Sequence, residues 1–459
     1  MELVADLHLH SKYSRAVSPQ MVVPEMVKWA KLKGIDLLGT GDFTHPQWLS
    51  ELKANLEECG QGVFRVKSQI SNLKCQINNS NLKSEKETKF LLTTEISSIY
   101  SQGGRTRKIH NLIIAPSFFA ADKISTALRA RGCNLTSDGR PIVGLSAKNI
   151  LELVLGVDDA CLVIPCHVWT PWFSLYGANS GFDSLEECFG ELSKYISAVE
   201  TGLSSDPEMN WQVADLDNRS LVSFSDAHSP AKLGREATVF EVERLDFDNI
   251  SGAIKEVESP AGAGGGKVKY TVEFYPEEGK YHYTGHRNCG VVQSPEETEK
   301  KGTTCAVCGK KLTVGVMERV RKLGKMGGTR EKRTDENGVR WIKKEGKPPF
   351  VKLVPLAEII AETLGVGESA ASVAREYQNL TEKLGNEIGI LMKSDLEEIA
   401  KIGGEKLAKG VLKVRSGDIF IKPGFDGEYG KVKVWRGDKE EEMEDKGRVG
   451  KGKEQMSLF

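Results

Sequence analysis

Asp6-Leu7-His8-Leu9-His10, with Ser11 and Ser14 just behind it, stands near the start of the chain. Successive side chains of a strand point to opposite faces, so a strand here turns His8 and His10 the same way and sets Leu7 and Leu9 into the packing behind. Two imidazoles then converge on one point. Neutral imidazole suits zinc, iron and manganese alike, which makes a His-x-His strand at a barrel mouth a natural seed for a metal site. A lone His-x-His is weak evidence, because most such histidines belong to the surface or the core. The placement of the other histidines decides.

There are eight histidines in 459 residues, at positions 8, 10, 45, 110, 167, 228, 282 and 286. The first six sit in or just after runs that read as buried strands: the opening pair, Ile35 to His45, Lys108 to Ile114, Cys161 to His167 and Leu221 to His228. Two similar runs end in acids instead, Phe90 to Glu95 and Ala198 to Thr201 with Glu200. Short apolar strands alternating with helical stretches predict parallel βα units. In such barrels the C-terminal ends of the strands build the site. One cluster of metal ligands accounts for all six histidines.

Asp6-x-His8-x-His10, Gly41-Asp42-Phe43-Thr44-His45, Glu95, His110, His167 and Asp226-Ala227-His228 together resemble the metal motifs of the polymerase and histidinol phosphatase (PHP) superfamily. More narrowly, Glu200 to Pro207, Ser225 to Pro230 and Tyr281-His282-Tyr283-x-Gly285-His286-Arg287-x-Cys289-Gly290 resemble the endonuclease Q family, over nearly the whole chain. The resemblance implies an α/β fold: a PHP-type distorted (β/α)7 barrel, then a small zinc module, a helical segment and a short β-hairpin. It implies a nuclease that nicks double-stranded DNA 5′ to deaminated bases (uracil, hypoxanthine, xanthine) or abasic sites. Two or three divalent metals (Zn, Mg or Mn) would serve it. Carried over residue by residue, His8, His10, Glu95 and Asp226 would hold the first, and Glu95 as bridge with His110 and His167 the second. His228 with Asp42 or His45 would hold a third, and His8, His10, Glu95, Asp226 and His228 make the catalytic set. The chain departs from many superfamily members at Arg15 and Ala16, where a further acid or histidine often stands, and in spreading the usual adjacent Asp-His over Asp42 to His45. Two rivals are a PHP phosphatase acting on a small phosphomonoester and a non-catalytic, clamp-tethered DNA-binding adaptor; nearly complete ligand positions argue against the second.

A length of 459 residues allows two to four domains, and 39% hydrophobic content supports a sizeable core. The net charge of −1 leaves nucleic-acid binding to local patches. With no signal-peptide pattern and no apolar run long enough for a bilayer, the expectation is a cytoplasmic, nucleoid-associated monomer. Six of the nine cysteines (59, 75, 133, 161, 166 and 188) lack framework spacing and read as free thiols, small buried apolar residues in the main.

The expected domains are 1–260 for the barrel, 267–325 for the zinc module, 326–436 for a basic and helical DNA-binding region with a hairpin, and 437–459 for a disordered tail. A first helix should run from near Pro24 to a glycine cap at Gly34. A polar stretch, Ser68 to Lys89, reads as a surface insertion, and Arg105, Arg107 and Lys108 as a solvated turn or a phosphate contact. Just past His167 the segment Val168 to Phe182 carries Trp169, Trp172, Phe173, Asn179 and Ser180, which offer stacking and hydrogen bonds to an extruded base. Ser204 to Trp211 should line the same rim. A loop packed on its own aromatic rings is the alternative. The glycine run at 261–266 reads as a joint, followed by a strand from Lys267 to Tyr275. His286-x-x-Cys289 and Cys305-x-x-Cys308 fit one tetrahedral structural zinc, His286 competing with His282 for the fourth place. Lys300 to Lys347 is strongly basic, and Arg319 and Arg321 are candidates for phosphate contact. Helices follow at 353–364, 369–384 and 394–402, then a hairpin over 417–435. Gln455-Met456-Ser457-Leu458-Phe459 resembles a sliding-clamp-binding peptide, presented on the tail.

Overall fold

The computed structural model describes residues 1–68, 87–256, 265–325 and 330–435. Most of the insertion expected after Ser68, most of the glycine run, Cys75 and the tail with Gln455–Phe459 lie outside these residues.

Seven strands enclose the centre: Glu2–Asp6, Leu37–Gly39, Lys89–Gln102, Arg105–Ala115, Leu162–Pro165, Ala198–Glu200 and Ser220–Val222. Their apolar residues alternate between two cores, as a strand covered on both faces requires. Leu3, Ala5, Leu37, Leu91, Leu112, Ile114, Ile164 and Val222 fill one. Val4, Leu38, Phe90, Leu92, Ile113, Val163 and Val199 pack with the helices in the other. The helix Val23–Lys33 begins and ends where expected, with Gly34 at φ 88° closing it.

The barrel is not wholly parallel. Glu2–Asp6 and Leu37–Gly39 pair in parallel, as do Leu37–Gly39 and Lys89–Gln102. Arg105–Ala115, by contrast, runs antiparallel to both of its neighbours. The stretch at 101–108 is therefore the turn of a long hairpin, and His110 and Glu95 sit within strands rather than at their ends. The first strand ends at Asp6, so His8 and His10 stand in the extended segment just past it. Ala198–Glu200 and Ser220–Val222 form a sheet of their own, and an isolated bridge, Leu9 to Ala227, joins the segments that follow the first and last strands, where the His10 N–H donates to the Ala227 carbonyl at 3.1 Å.

The expected domain limits shift. The strand Gly266–Glu273 pairs with Ala237–Val242, which pairs with Glu2–Asp6, so it extends the barrel sheet rather than opening the zinc module. Phe350–Lys352, Arg340–Lys343 and Glu331–Thr334 continue the same sheet outward. Five helices follow, Leu356–Leu364, Ala371–Leu384, Glu387–Met392, Leu396–Gly403 and Glu405–Ser416, and then a hairpin of Phe420–Lys422 with Lys431–Lys433. They are held to the barrel through a buried ion pair, Lys33 Nζ to Glu387 Oε2 at 2.7 Å, where the Tyr377 hydroxyl also donates at 2.7 Å. Removing one partner of such a pair costs about 3–5 kcal/mol.

Candidate metal centre

Glu95 stands between two sets of donors. Its Oε2 lies 3.2 Å from His10 Nε2 and 3.6 Å from His8 Nε2; its Oε1 lies 2.5 Å from His110 Nδ1 and 3.2 Å from His167 Nε2. Asp226 Oδ1 completes the first set, 3.1 Å from His10 Nε2 and 3.8 Å from His8 Nε2. Within each set, His8/His10/Asp226 and Glu95/His110/His167, the donor atoms all lie within 4.8 Å of one another. His8 Nε2, His10 Nε2 and Asp226 Oδ1 are buried without a hydrogen-bond partner. Buried polar atoms are ordinarily satisfied, so converging orphans of imidazole and carboxylate type fit divalent ions.

The backbone is strained to aim these groups. Among the described residues, six non-glycines have positive φ, and Asp42 (51°), His167 (30°), Asp226 (47°), Phe173 (63°) and Ala16 (61°) belong to the site or its rim. Gly202 serves the same end: a Cβ there would lie 2.4 Å from the Cβ of His167.

A second tier orients the imidazoles. Glu200 places Oε1 2.9 Å and Oε2 3.0 Å from His8 Nδ1, and Oε2 accepts the His167 N–H at 2.9 Å. Asp42 Oδ1 takes His10 Nδ1 at 3.0 Å, while Oδ2 accepts the Ser11 N–H at 2.6 Å and the hydroxyls of Ser11 and Ser14 at 2.7 and 2.9 Å. Partners of this kind fix the tautomer and leave Nε2 for a metal. Burial pushes the carboxyls of Asp42 and Asp226 up, but the histidines beside them outweigh it and hold both below the usual range. Burial pushes His110 down to about 4, against the pull of Glu95, so its ring is neutral at neutral pH, the form a metal requires.

The third set of ligands is not assembled. Asp42 is consumed by His10 and the serines. His45 caps the helix Pro46–Asn55, its ring stacked on Tyr13 at 4.4 Å. His228 stands against the His10 ring at 4.9 Å with Nδ1 2.8 Å from the Asp226 carbonyl. Sequence spacing cannot show that a carboxylate already has four partners.

The aromatic segment divides. Trp169 is 1% exposed, stacked on Tyr176 at 4.9 Å, with its N–H on Asn210 Oδ1, so it is core rather than a base platform. Ser180 is buried, its Oγ accepting the Phe173 N–H at 3.1 Å. Asn179 stays exposed. Trp172 is 38% exposed and meets Tyr281 edge-on at 5.5 Å; Phe173 lies 5.0 Å from the His110 ring with Lys108 Nζ over it at 4.9 Å. The expectation of stacking therefore rests on Trp172 and Phe173.

Arg319 is not a phosphate contact. It is 7% exposed and donates to the carbonyls of Tyr176 and Phe182, both at 2.9 Å, and to Asp183 at 2.5 Å, so it fastens the aromatic segment. Arg321 is tied to Glu299. Arg319→Ala should therefore lower stability by about 3 kcal/mol, the cost of breaking a buried charged network. Chemical denaturation checks this, and an unchanged midpoint with a reduced salt slope of DNA binding would restore the phosphate role. Arg330 and Arg333 pair with Glu208 and Glu331 at the surface. Exposed pairs are worth at most about 1 kcal/mol, so these two charges remain available to a polyanion.

His286, Cys289, Cys305 and Cys308 form a further set of donors within 4.8 Å of one another, on the small hairpin Thr284–His286 with Val291–Gln293 and the loop at 305–308. His282 is buried outside this set. Burial works to raise the Cys305 thiol, but the N–H groups of Cys308 and Val307 and the nearby His286 bring it below the usual thiol range.

Three groups escaped sequence reading. Glu200 was visible as an acid ending a strand, with no sign that it backs His8. Cys166 is packed behind His8 and Glu95, its thiol pushed well up by burial. Arg140, from a loop with no periodicity, places Nη1 3.1 Å from Glu95 Oε2.

A barrel that gathers imidazoles and carboxylates at one mouth defines a metal-centre protein of the PHP type. Residues 355–418 match the family model described as the MJ0043 C-terminal domain. The chain is 30% identical over 446 residues to uncharacterized protein YqxK of Bacillus subtilis, covering 94% of this chain and 99% of that relative. It is 34% identical over 273 residues to uncharacterized protein MJ0043 of Methanocaldococcus jannaschii, covering 58% of this chain and spanning only 31% of that relative. Two solved structures are similar at 32% identity and a TM-score of 0.76. One is the lesion-specific endonuclease PfuEndoQ from Pyrococcus furiosus, with 94% of this chain and 95% of that one covered. The other is an endonuclease Q complex with a 27-mer duplex substrate carrying an abasic lesion at the active site, with 95% and 97% covered. The chain belongs to the endonuclease Q family.

Proposed function

We propose that this protein is a DNA repair endonuclease that hydrolyses the phosphodiester 5′ to a deaminated base (uracil, hypoxanthine or xanthine) or an abasic site. The observation that carries the reading is Glu95, one oxygen turned to His8 and His10, which Asp226 also meets, and the other to His110 and His167. His8, His10 and Asp226 would hold one divalent ion, and His110 and His167 a second, with Glu95 between them. Such a pair lowers the pKa of water and offsets charge on a phosphoryl group, so no protein nucleophile is required. Glu200 and Asp42 keep the imidazoles aimed. Duplexes carrying uracil, hypoxanthine, an abasic site or no lesion, incubated with Mg²⁺ or Mn²⁺ and resolved on a denaturing gel, test the proposal. Cleavage 5′ to the lesions supports it, and equal cleavage or none on all four rejects it.

Base selection is assigned to Phe173, which meets the His110 ring, and to its neighbour Trp172, exposed beside Tyr281. Stacking on one ring is worth about 1–3 kcal/mol. Trp172→Ala should therefore slow nicking at a lesion about tenfold or more while leaving affinity for undamaged duplex nearly unchanged. Equal losses on both would mean the ring only packs the loop. One structural zinc is assigned to His286, Cys289, Cys305 and Cys308. Gln455–Phe459 is assigned to a sliding clamp, with Leu458 and Phe459 as apolar anchors. Titrating the peptide against the clamp should show binding that Leu458→Ala abolishes; no binding by the natural peptide at high micromolar concentration removes that partner.

A further inference from the structure

We propose that Arg140 grips a non-bridging oxygen of the scissile phosphate, a role that rests on the phosphodiesterase reading above. The loop that carries it is laid directly over the site. The Gly139 N–H donates to the Tyr13 carbonyl at 3.0 Å, and Asp138 Oδ1 accepts the N–H groups of Arg15 and Arg140 at 3.3 and 3.2 Å. A Cβ at position 139 would lie 2.4 Å from both Asp42 Oδ2 and Ser14 Oγ, so only glycine lets the backbone come this close. The consequence is a guanidinium at Glu95 Oε2, 3.1 Å away, with its side chain still 24% exposed.

A guanidinium has five N–H donors in a rigid planar fork. Among the described residues, Glu95 is the one acceptor of the Arg140 side chain. The remaining donors, on a side chain that is 24% exposed, are left for an anion seated beside Glu95. The charge is permanent, because a guanidinium does not lose its proton in a protein.

Charge balance leaves room for such a group. Four carboxylates meet here: Glu95, Glu200 and Asp42 are buried and Asp226 is part-exposed at the mouth, with Glu200 and Asp42 behind the imidazoles. Two divalent cations would balance these four charges, and a further fixed positive charge would add to what the ions offer the phosphodiester and the charge that gathers on its oxygens during in-line attack. A third cation has no ligands on the Asp42 flank, because Asp42 is spent on His10, Ser11 and Ser14. Arg140 supplies a fixed positive charge from that flank. Preorganised donors aimed at developing charge act most strongly in a buried site, where they need no reorganisation.

The test is a two-by-two comparison of binding in Ca²⁺ under conditions in which the duplex stays intact. Wild type and Arg140→Gln are titrated with an abasic duplex whose phosphate 5′ to the lesion is either native or a neutral methylphosphonate. Wild type should prefer the native duplex by roughly tenfold to a hundredfold, the worth of a charge-assisted bond. Arg140→Gln should lose that preference while binding the methylphosphonate duplex as wild type does. Arg140→Lys, which keeps a charge without the fork, should recover part of it. Thermal melting and bound-metal analysis of each variant report the fold and the ligand sets separately. Equal loss on both duplexes, or a preference kept by Arg140→Gln, overturns the assignment. Failure of wild type to nick any lesion duplex in Mg²⁺ or Mn²⁺ would instead bring down the endonuclease reading itself.

Discussion

Glu95→Gln is expected to lower single-turnover nicking of an abasic duplex by about a thousandfold or more. The amide keeps the shape of the side chain but removes the one anion common to both donor sets, and with it the partner of Arg140. Metal-assisted stabilisation of a phosphoryl transition state is worth several kcal/mol, and each 1.4 kcal/mol or so is a factor of ten in rate. Bound metal should fall in parallel, and affinity for the duplex much less. Asp226→Asn should behave similarly, because Asp226 Oδ1 meets both His8 and His10. Glu200→Gln makes the informative contrast: it touches His8 and the His167 backbone but faces neither donor set, and the loss of such an orienting partner costs about 10–100-fold. Rapid-quench nicking with metal analysis decides the matter. A Glu95→Gln enzyme within tenfold of wild type would show that the chemistry is centred elsewhere.

Cys305→Ser should release about one zinc per chain and unfold the module around it while the barrel stays folded. Around the donors the backbone ladder is short: three residues between Thr284–His286 and Val291–Gln293, and isolated bridges at Gly285 to Thr313, Thr304 to Lys311 and Tyr283 to Phe425. A hairpin that short is not stable alone in water, whereas a structural zinc contributes apparent binding energies of about 10–16 kcal/mol. The damage should reach the site. Tyr281 meets Trp172, and Arg319, from the helix Val316–Leu323, fastens the aromatic segment. Nicking should then fall although every barrel ligand is intact. Metal analysis together with limited proteolysis around residues 281–324 would detect this, and unchanged zinc content and protection would refute it.

What could be read along the chain, and what could not, divides by the range of the interaction concerned. The helix Val23–Lys33 is a local matter, a proline in its first turn and a glycine just past its last. The helix Glu405–Ser416 is not among the helices expected from the sequence, and it carries a glycine, Gly410, in its interior. In the fold Gly410 is buried among Ile359, Val434 and Trp435, where a larger residue would crowd them. The strand at 266–273 was legible as a strand, but its partner was not, since pairing with Ala237–Val242 depends on a turn of the chain through distant residues.

The same division holds at the site. Donor chemistry resides in residue type and short spacing: two imidazoles two residues apart, paired knuckles, acids and histidines ending apolar runs. Together with the resemblance to the PHP motifs, these nominate His8, His10, Glu95, His110, His167 and Asp226 without coordinates, because the softness and charge of a ligand do not depend on its surroundings. Which partner each polar group finally faces is settled by closure of the barrel. Asp42 turned from the third-ligand role to His10, and Trp169 and Arg319 from the substrate to packing and a buried ion pair. Arg140 was brought from an unremarkable loop to Glu95. A buried polar group takes whichever partner the packed chain sets within about 3 Å, since leaving it unsatisfied costs about 1–3 kcal/mol, and that distance is a property of the tertiary structure alone.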